Sequence, residues 1–188
     1  MDRIGVGLIG TGFTGKCHAM AYGAVRAVYG TMPVIDRLAL CDVDAIHADA
    51  CAAAFGFARS TTDWQSLIRD PAIQLISVTS PNGLNREMAV AALAAGKHVW
   101  CEKPMALTLA DAEAMARAAA DSGRATALGY GYLHNPALQE ACRLIATGAI
   151  GTPHDFRGSV DEDYMADPAL PWTLRLERER RASARWAI

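Results

Sequence analysis

Three glycines follow the first apolar run of the sequence at the spacing G-x-G-x-x-G, at positions 10, 12 and 15. In a turn that joins a strand to a helix, the first glycine permits the tight turn and the third permits close packing of helix against strand. The middle glycine lets the backbone approach an anion, which the N–H groups at the helix start would bind. The pattern predicts a diphosphate-binding turn. A glycine-rich turn without a ligand and a methyltransferase-type nucleotide site are the alternatives.

An aspartate, Asp42, follows the second apolar run. A carboxylate at this point of a dinucleotide-binding fold accepts hydrogen bonds from the adenosine ribose hydroxyls, whereas capping a helix is its alternative role. The next residue is Val43 and not an arginine that would favour the 2′-phosphate of NADP, so the sequence favours NAD. Arg37 and Arg59 leave NADP open.

The pair Glu102 and Lys103 ends the fifth predicted strand and directly precedes Pro104. Open α/β sheets bind ligands at this end of their strands. A lysine ammonium there can hydrogen-bond a substrate hydroxyl and stabilise the alkoxide that develops during hydride transfer. The bond to Pro104 is also a candidate for a cis peptide. A surface ion pair at a strand end is the other interpretation that these residues allow.

Short apolar runs alternate with alanine-rich helical stretches, which predicts a parallel sheet covered on both faces. The predicted strands lie at 4–9, 38–41, near 57, 75–79, 98–101 and 126–128. The predicted helices lie at 13–29, 44–55, 64–68, 85–95, 108–120 and 135–147. They indicate an α/β fold, a doubly wound Rossmann domain over residues 1–128. Residues 129–188 are interpreted as the incomplete start of an α+β domain, opened by a strand at 154–160.

The composition favours a protein that acts on small molecules. The 188 residues carry a formal net charge of −2, which gives no sign of a nucleic-acid or membrane partner. No apolar run reaches the roughly 20 residues that span a bilayer, and the N-terminus does not resemble a signal peptide, so a cytoplasmic location is expected. Five cysteines without a CxxC pair predict free thiols. No Cys or His pair has zinc-ligand spacing, so no metal is expected, and the histidines are interpreted as surface or packing residues.

Four segments resemble, in order, those of the Gfo/Idh/MocA family of glucose–fructose oxidoreductases and inositol dehydrogenases. They are GLIGTGFTGKCHAMAY, VTSPNGLN, AGKHVWCEKPMALT and GYGYLHNPALQEACRLIATGAIGTP, within about residues 4 to 160. A methyltransferase-like fold would leave the CEKP segment unexplained. The resemblance implies an NAD(P)-dependent dehydrogenase that transfers a hydride between the nicotinamide and a sugar, an inositol or a related polyol.

The same resemblance implies site residues of five kinds: a pyrophosphate turn, a ribose contact, a nicotinamide wall, a carboxylate that orders the cofactor pocket, and a catalytic lysine. These are, in that order, Gly10, Thr11, Gly12, Phe13 and Gly15; Asp42; Thr79, Ser80, Pro81 and Asn82; Glu102; and Lys103. Two residues depart from the family pattern. Asn85 stands where members often have His, and Leu133 stands where many have Arg. Both change the rim of the pocket, so the sequence does not name the sugar.

The family's second domain is an open, mainly antiparallel sheet that supplies a catalytic Asp and His and makes subunit contacts. The last residues of this sequence do not resemble that stretch, so its active site is expected to be incomplete. A one-base shift in reading would turn codons for Arg185–Ile188 into codons for Ala-Leu-Gly-Asp, the expected text; a genuine short member is the alternative. Two functions therefore stay open: a homo-oligomeric dehydrogenase, and a dinucleotide-binding module without turnover.

Overall fold

A computed structural model describes residues 3–159, 161, 167 and 169 of the chain. In this part, six parallel strands form one sheet in the order β3-β2-β1-β4-β5-β6. The strands are β1 (Arg3–Ile9), β2 (Val34–Cys41), β3 (Arg59–Thr61), β4 (Leu75–Val78), β5 (His98–Cys101) and β6 (Thr126–Leu128). The helices are α1 (Phe13–Tyr29), α2 (Ala45–Phe55), α3 (Trp64–Arg69), α4 (Asn85–Ala94), α5 (Leu109–Ser122) and α6 (Pro136–Ala146). Short 3-10 helices cover Asn82–Leu84 and Gly131–His134.

Helices cover the sheet on both faces, because successive side chains of each central strand point to opposite sides. On one face Leu8 and Leu40 pack with Ala19 of α1 and with residues of α2. On the other face Ile76 packs with residues of α3, α4 and α5. Leu8, Leu40 and Ile76 have no exposed area, and each such side chain stabilises the fold by roughly 1.5–3 kcal/mol. This doubly covered parallel sheet confirms the predicted α/β Rossmann class.

The central strands end in register at one edge of the sheet. Ile9 pairs with Cys41 on one side and Val78 on the other, Val78 pairs with Cys101, and Cys101 pairs with Leu128. The residues that follow these strand ends therefore form a row along the carboxyl edge: Asp42, Gly10, Thr79, Glu102 and Gly129. The strand order reverses between β1 and β4, which is the point where open α/β sheets bind ligands.

Two predicted elements differ from the structure by more than two residues. β2 begins at Val34 and not at residue 38. Its pairing with β1 extends back to Arg3, which pairs with Val34, and so includes the charged residues that interrupt the apolar run. The strand expected at 154–160 is wrong over its described residues, because 153–159 are irregular and pair with no other strand described here. A lone strand leaves its backbone groups unpaired and is not stable. The domain division at residue 128 stays a prediction, and most of 160–188 lies outside the described residues.

Candidate functional site

The three glycines of the turn between β1 and α1 meet different surroundings. Gly10 has φ +96°, and a Cβ there would lie 2.8 Å from the carbonyl carbon and oxygen of Thr79. A Cβ on Gly15 would lie 2.1 Å from the Gly10 oxygen, whereas a Cβ on Gly12 would meet nothing within 4 Å. The protein's own packing therefore requires glycine at positions 10 and 15, as the sequence predicts. Open space at Gly12 is available to a ligand.

The start of α1 offers hydrogen-bond donors without a partner in the helix. Gly12 is the N-cap residue, and no side chain caps the helix end. The first N–H groups of an α-helix have no intrahelical acceptor, and they carry the positive end of the helix dipole. The first turn contains no acidic side chain that would compete with an anion. Phe13 is 83% exposed beside these donors. The arrangement fits a diphosphate group.

Asp42 is held against the glycine turn. Its Oδ2 accepts hydrogen bonds from the backbone N–H of Thr11, at 2.9 Å, and from the Thr11 hydroxyl. Its Oδ1 accepts from the Val43 N–H at 2.8 Å. Burial raises the pKa of Asp42, but these hydrogen bonds outweigh it and hold the pKa below its ordinary value. The N-cap of α2 is Asp44, whose side chain accepts from His47 N–H, so Asp42 is not the helix cap.

The lowered pKa of Asp42 predicts a pH-dependent contribution to stability. A carboxyl group with a depressed folded-state pKa stabilises the fold fully above its ordinary pKa of about 3.9, and loses that contribution as the pH falls through the folded value. We expect Asp42→Asn to lower the free energy of unfolding at pH 6, and the difference from wild type to shrink below about pH 4. Urea unfolding of both proteins across this range measures it. A difference that stays constant with pH would contradict the assignment.

Glu102 and Lys103 lie at the end of β5, three strands from Asp42. With strands about 4.8 Å apart, this separates the ends of β2 and β5 by roughly 14 Å along the sheet edge. Glu102 Oε2 accepts from the Lys103 N–H at 3.3 Å. The peptide bond from Lys103 to Pro104 is cis, as the sequence suggests. The Lys103 side chain is exposed, and its ammonium contacts no hydrogen-bond partner among the described residues.

Four side chains from α1, β4 and the end of β5 form a hydrogen-bonded chain behind the site. His18 Nε2 donates to Glu102 Oε1 at 2.9 Å, and its Nδ1 lies 3.2 Å from the hydroxyl of Ser77. Ser77 in turn hydrogen-bonds Tyr22, and a single neutral tautomer of His18 satisfies these contacts. The His18 side chain is 11% exposed. It is thus neither a surface residue nor a simple packing residue.

Sequence reasoning missed two residues of this site, His18 and Gly129, the second of which directly follows β6. A Cβ there would lie 2.2 Å from Glu102 Oε1, so the carboxylate occupies space that only glycine leaves. The signals were present but weak. His18 follows Gly15 by one helical turn and therefore shares its face of α1, and Gly129 directly follows an apolar run. Neither spacing is specific without the fold.

The predicted nicotinamide wall lies at the end of β4, between the turn and Glu102. The Thr79 hydroxyl donates toward the carbonyl oxygens of Ile9, at 2.9 Å, and Gly10, at 2.8 Å, so it supports the turn itself. Ser80 donates to the Met88 sulfur at 3.2 Å. Pro81 and Asn82 lead into the first 3-10 helix. The fold thus brings all the predicted site residues to one edge of the sheet.

A cavity of about 470 Å³ lies between α5 and the β5–β6 side of the sheet. Leu93, Val99, Met115 and Leu133 are among its mainly apolar lining residues. Such a lining does not suit the charged groups of a dinucleotide. In the part of the chain that the structure describes, no cluster of three or more His, Cys, Asp or Glu side chains is arranged to bind a metal. None of the helices described is both long and apolar enough to cross a membrane.

The parallel sheet, the turn and the row of residues at the sheet edge define a dinucleotide-binding domain of the Rossmann class. Residues 4–130 match the family GFO_IDH_MocA, described as an oxidoreductase family with an NAD-binding Rossmann fold. The chain belongs to this family.

Relatives of known structure and activity agree with this assignment. The chain is 38% identical over 179 residues to levoglucosan dehydrogenase of Pseudarthrobacter phenanthrenivorans, covering 95% of this chain and 46% of that one. It is 29% identical over 175 residues to inositol 2-dehydrogenase of Salmonella typhimurium, covering 89% and 50%. The structure of levoglucosan dehydrogenase in complex with NADH and L-sorbose matches with a TM-score of 0.92 at 38% identity, covering 97% and 49%. The chain spans about half the length of these relatives.

Proposed function

We propose that this chain is the cofactor-binding part of an NAD(P)-dependent dehydrogenase that oxidises a secondary hydroxyl of a sugar, an inositol or a related polyol. The observation that carries the proposal is the row at the carboxyl edge, in which a diphosphate turn and an exposed lysine end strands of the same sheet. The relatives named as levoglucosan and inositol dehydrogenases support the substrate class.

The turn, Asp42 and the segment after β4 would each bind a different part of the cofactor. The N–H groups at the start of α1 would hold the pyrophosphate, and Asp42 would accept hydrogen bonds from the adenosine ribose. When bound, the nicotinamide ring would supply the hydride-transfer chemistry that amino-acid side chains lack. Thr79, Ser80, Pro81 and Asn82 would border its ring.

Lys103 would act on the substrate oxygen. Its ammonium can donate a hydrogen bond to the reacting hydroxyl and stabilise the negative charge that builds on that oxygen as the carbon loses its hydride. General acid–base and electrostatic roles of this kind each contribute roughly 10²-fold or more to rate. Glu102 would not compete for this role, since its oxygens are already engaged by His18 and by the Lys103 N–H.

We propose NAD as the cofactor in preference to NADP. The carboxylate of Asp42 suits free ribose hydroxyls and repels a 2′-phosphate. The two arginines that the sequence left open as phosphate ligands are engaged elsewhere. Arg59 pairs with Asp70 at 2.7 Å, and Arg37 donates to the Phe55 carbonyl at 2.6 Å.

This preference predicts that NADH binds more tightly than NADPH by at least about tenfold, or 1.4 kcal/mol. Asp42→Ala should weaken NADH binding, because it removes the acceptor for the ribose hydroxyls. It should also narrow the difference in affinity between NADH and NADPH, because it removes the charge that repels the 2′-phosphate. Fluorescence titration with both dinucleotides measures this. Asp44→Ala is the matched control, since the Asp44 side chain caps α2 by accepting from the His47 N–H, and the substitution leaves the Asp44 backbone N–H in place. Equal affinities for the two cofactors in wild type would contradict the preference.

An assay for turnover distinguishes the dehydrogenase from the alternative, a module that binds the dinucleotide without catalysing a reaction. Appearance of NADH at 340 nm, when the protein is mixed with NAD and a panel of polyols that includes levoglucosan and inositols, would support the dehydrogenase. Binding of NAD without any turnover would support the module, and absence of binding would contradict both. A homo-oligomeric state and a cytoplasmic location are further proposals from the sequence, which size-exclusion chromatography and localisation would test.

A further inference from the structure

The backbone on both sides of Lys103 is held by one buried side chain, Asn85 at the start of α4. Asn85 Nδ2 donates to the carbonyl oxygen of Pro104 at 3.0 Å and to that of Glu102 at 3.3 Å. A primary amide has two N–H groups, and here each one contacts a carbonyl that flanks the lysine. Because these carbonyls precede and follow Lys103, the amide fixes the path of the chain through this residue.

Asn85 has no evident role in its own helix. Its side chain is completely buried, and burying a primary amide is costly unless its polar atoms are hydrogen-bonded. It does not serve the helix end, since no side chain caps α4. Its Oδ1 has no hydrogen-bond partner among the described residues, which adds to the cost of burying the amide. Helix stability therefore does not explain this residue, whereas the two contacts to the lysine segment do.

Support also reaches the same segment from the opposite side. Glu102 accepts from His18 of α1 through one oxygen and from the Lys103 N–H through the other. The backbone around Lys103 is thus tied to both α1 and α4, while its ammonium is left exposed and without a partner among the described residues. A charged group on a fixed base can be directed at a reacting atom without reorganising during the reaction.

We propose that Asn85 is a positioning residue for Lys103, which it acts on through the carbonyls of residues 102 and 104. This inference rests on the proposed function, because it assumes that Lys103 faces the nicotinamide and the substrate hydroxyl. Asn85 itself contacts neither, and since it is fully buried it does not lie at the rim of the pocket, where the sequence analysis placed it. Its loss should displace the ammonium while leaving the diphosphate turn and the ribose contact intact. Misplacement by about 1 Å can lower a catalytic rate on the order of 10²-fold.

The sequence offers a direct probe, since it contains only three lysines, Lys16, Lys97 and Lys103. Lysine labelled with ¹³C at the ε position gives three signals, which Lys16→Arg and Lys103→Arg assign. Lys97 is an internal control at the opposite end of β5. It is buried, and it donates to the carbonyls of Asp70 and Ile73 at 2.7 Å.

The variant is Asn85→Leu, which keeps the branching and the number of side-chain heavy atoms, adds no charge and removes both donors. We expect NADH to bind it with wild-type affinity, and the Lys97 signal to stay unchanged. The shift of the Lys103 signal that NADH causes in wild type should be lost, and kcat for a polyol should fall on the order of 10²-fold with KM unchanged. Asn85→His, which retains one N–H donor, should recover part of both readouts. If Asn85→Leu does not fold, Asn85→Ser serves instead, because its side chain is too short to reach the carbonyls.

The outcomes separate this inference from the function on which it rests. A wild-type protein that does not bind NADH, or whose Lys103 signal does not respond to it, would overturn the proposed function. A folded Asn85→Leu or Asn85→Ser protein whose Lys103 signal responds to NADH as in wild type would overturn the role of Asn85 alone.

Discussion

Replacing Gly12 by valine is expected to lower the affinity for NADH on the order of 100-fold, or about 2.7 kcal/mol, and to lower the stability by no more than about 1 kcal/mol, since valine caps a helix less well than glycine. A Cβ at this position meets no protein atom within 4 Å, and the backbone lies at φ −61°, ψ −172°, which valine adopts readily. The added methyl groups would occupy only the space in front of the α1 donors. Isothermal titration with NADH measures the affinity, and urea unfolding measures the stability.

Gly131→Val is the matched control for this experiment. A Cβ on Gly131 also meets no atom within 4 Å, but it follows β6, three strands away from the turn. We expect its affinity for NADH to equal that of wild type. If Gly12→Val bound NADH as tightly as this control, the pyrophosphate would not lie against the start of α1.

Replacing Gly15 by alanine is expected to cause a large loss of stability, whereas the main effect of Gly12→Val is on NADH affinity. Alanine is a better helix former than glycine by about 1 kcal/mol, but a Cβ at position 15 would lie 2.1 Å from the carbonyl oxygen of Gly10. That oxygen belongs to the backbone of the turn and cannot move aside cheaply. Overpacking of this kind costs about 1–3 kcal/mol or more, so the steric term should exceed the gain in helix propensity. We expect a net loss of about 2 kcal/mol.

The control for this second prediction is Gly23→Ala, in the same helix. A Cβ on Gly23 would contact only the end of the Arg37 side chain, at 3.2 Å, so the gain in propensity should dominate and the free energy of unfolding should not fall. Urea unfolding of both variants gives the comparison. Equal effects at positions 15 and 23 would show that α1 does not pack closely on the turn.

Local patterns in the sequence predicted much of this fold. The bounds of α1, β5 and β6 are as predicted, because glycine turns and short apolar runs mark them. Thr108 caps α5 by accepting from the Asp111 N–H, a role that threonine often has at the start of a helix. The glycine turn was also readable, since the requirements at Gly10 and Gly15 arise from residues close in sequence or from the adjoining strand.

Contacts between distant parts of the chain could not be predicted in this way. His18 and Glu102 are 84 positions apart. Their hydrogen bond depends on the strand register, which places the ends of β1, β4 and β5 in one row. The same register brings Gly129 against Glu102 and Asn85 against Pro104. The start of β2 was missed for a related reason, because its pairing partner, and not its own apolar pattern, extends it to Val34.

The central claim is that backbone N–H groups at the start of α1 bind a dinucleotide diphosphate and direct its nicotinamide toward Lys103. A titration of ¹⁵N-labelled protein with NADH, followed through its assigned amide signals, tests this most directly. We predict that the amide signals of Gly12, Phe13 and Thr14 shift together and saturate with a single dissociation constant. The amide signal of Lys103 should shift over the same range of NADH concentration. Saturating NADH that leaves these amides unmoved, or that shifts only residues elsewhere in the chain, would contradict the claim.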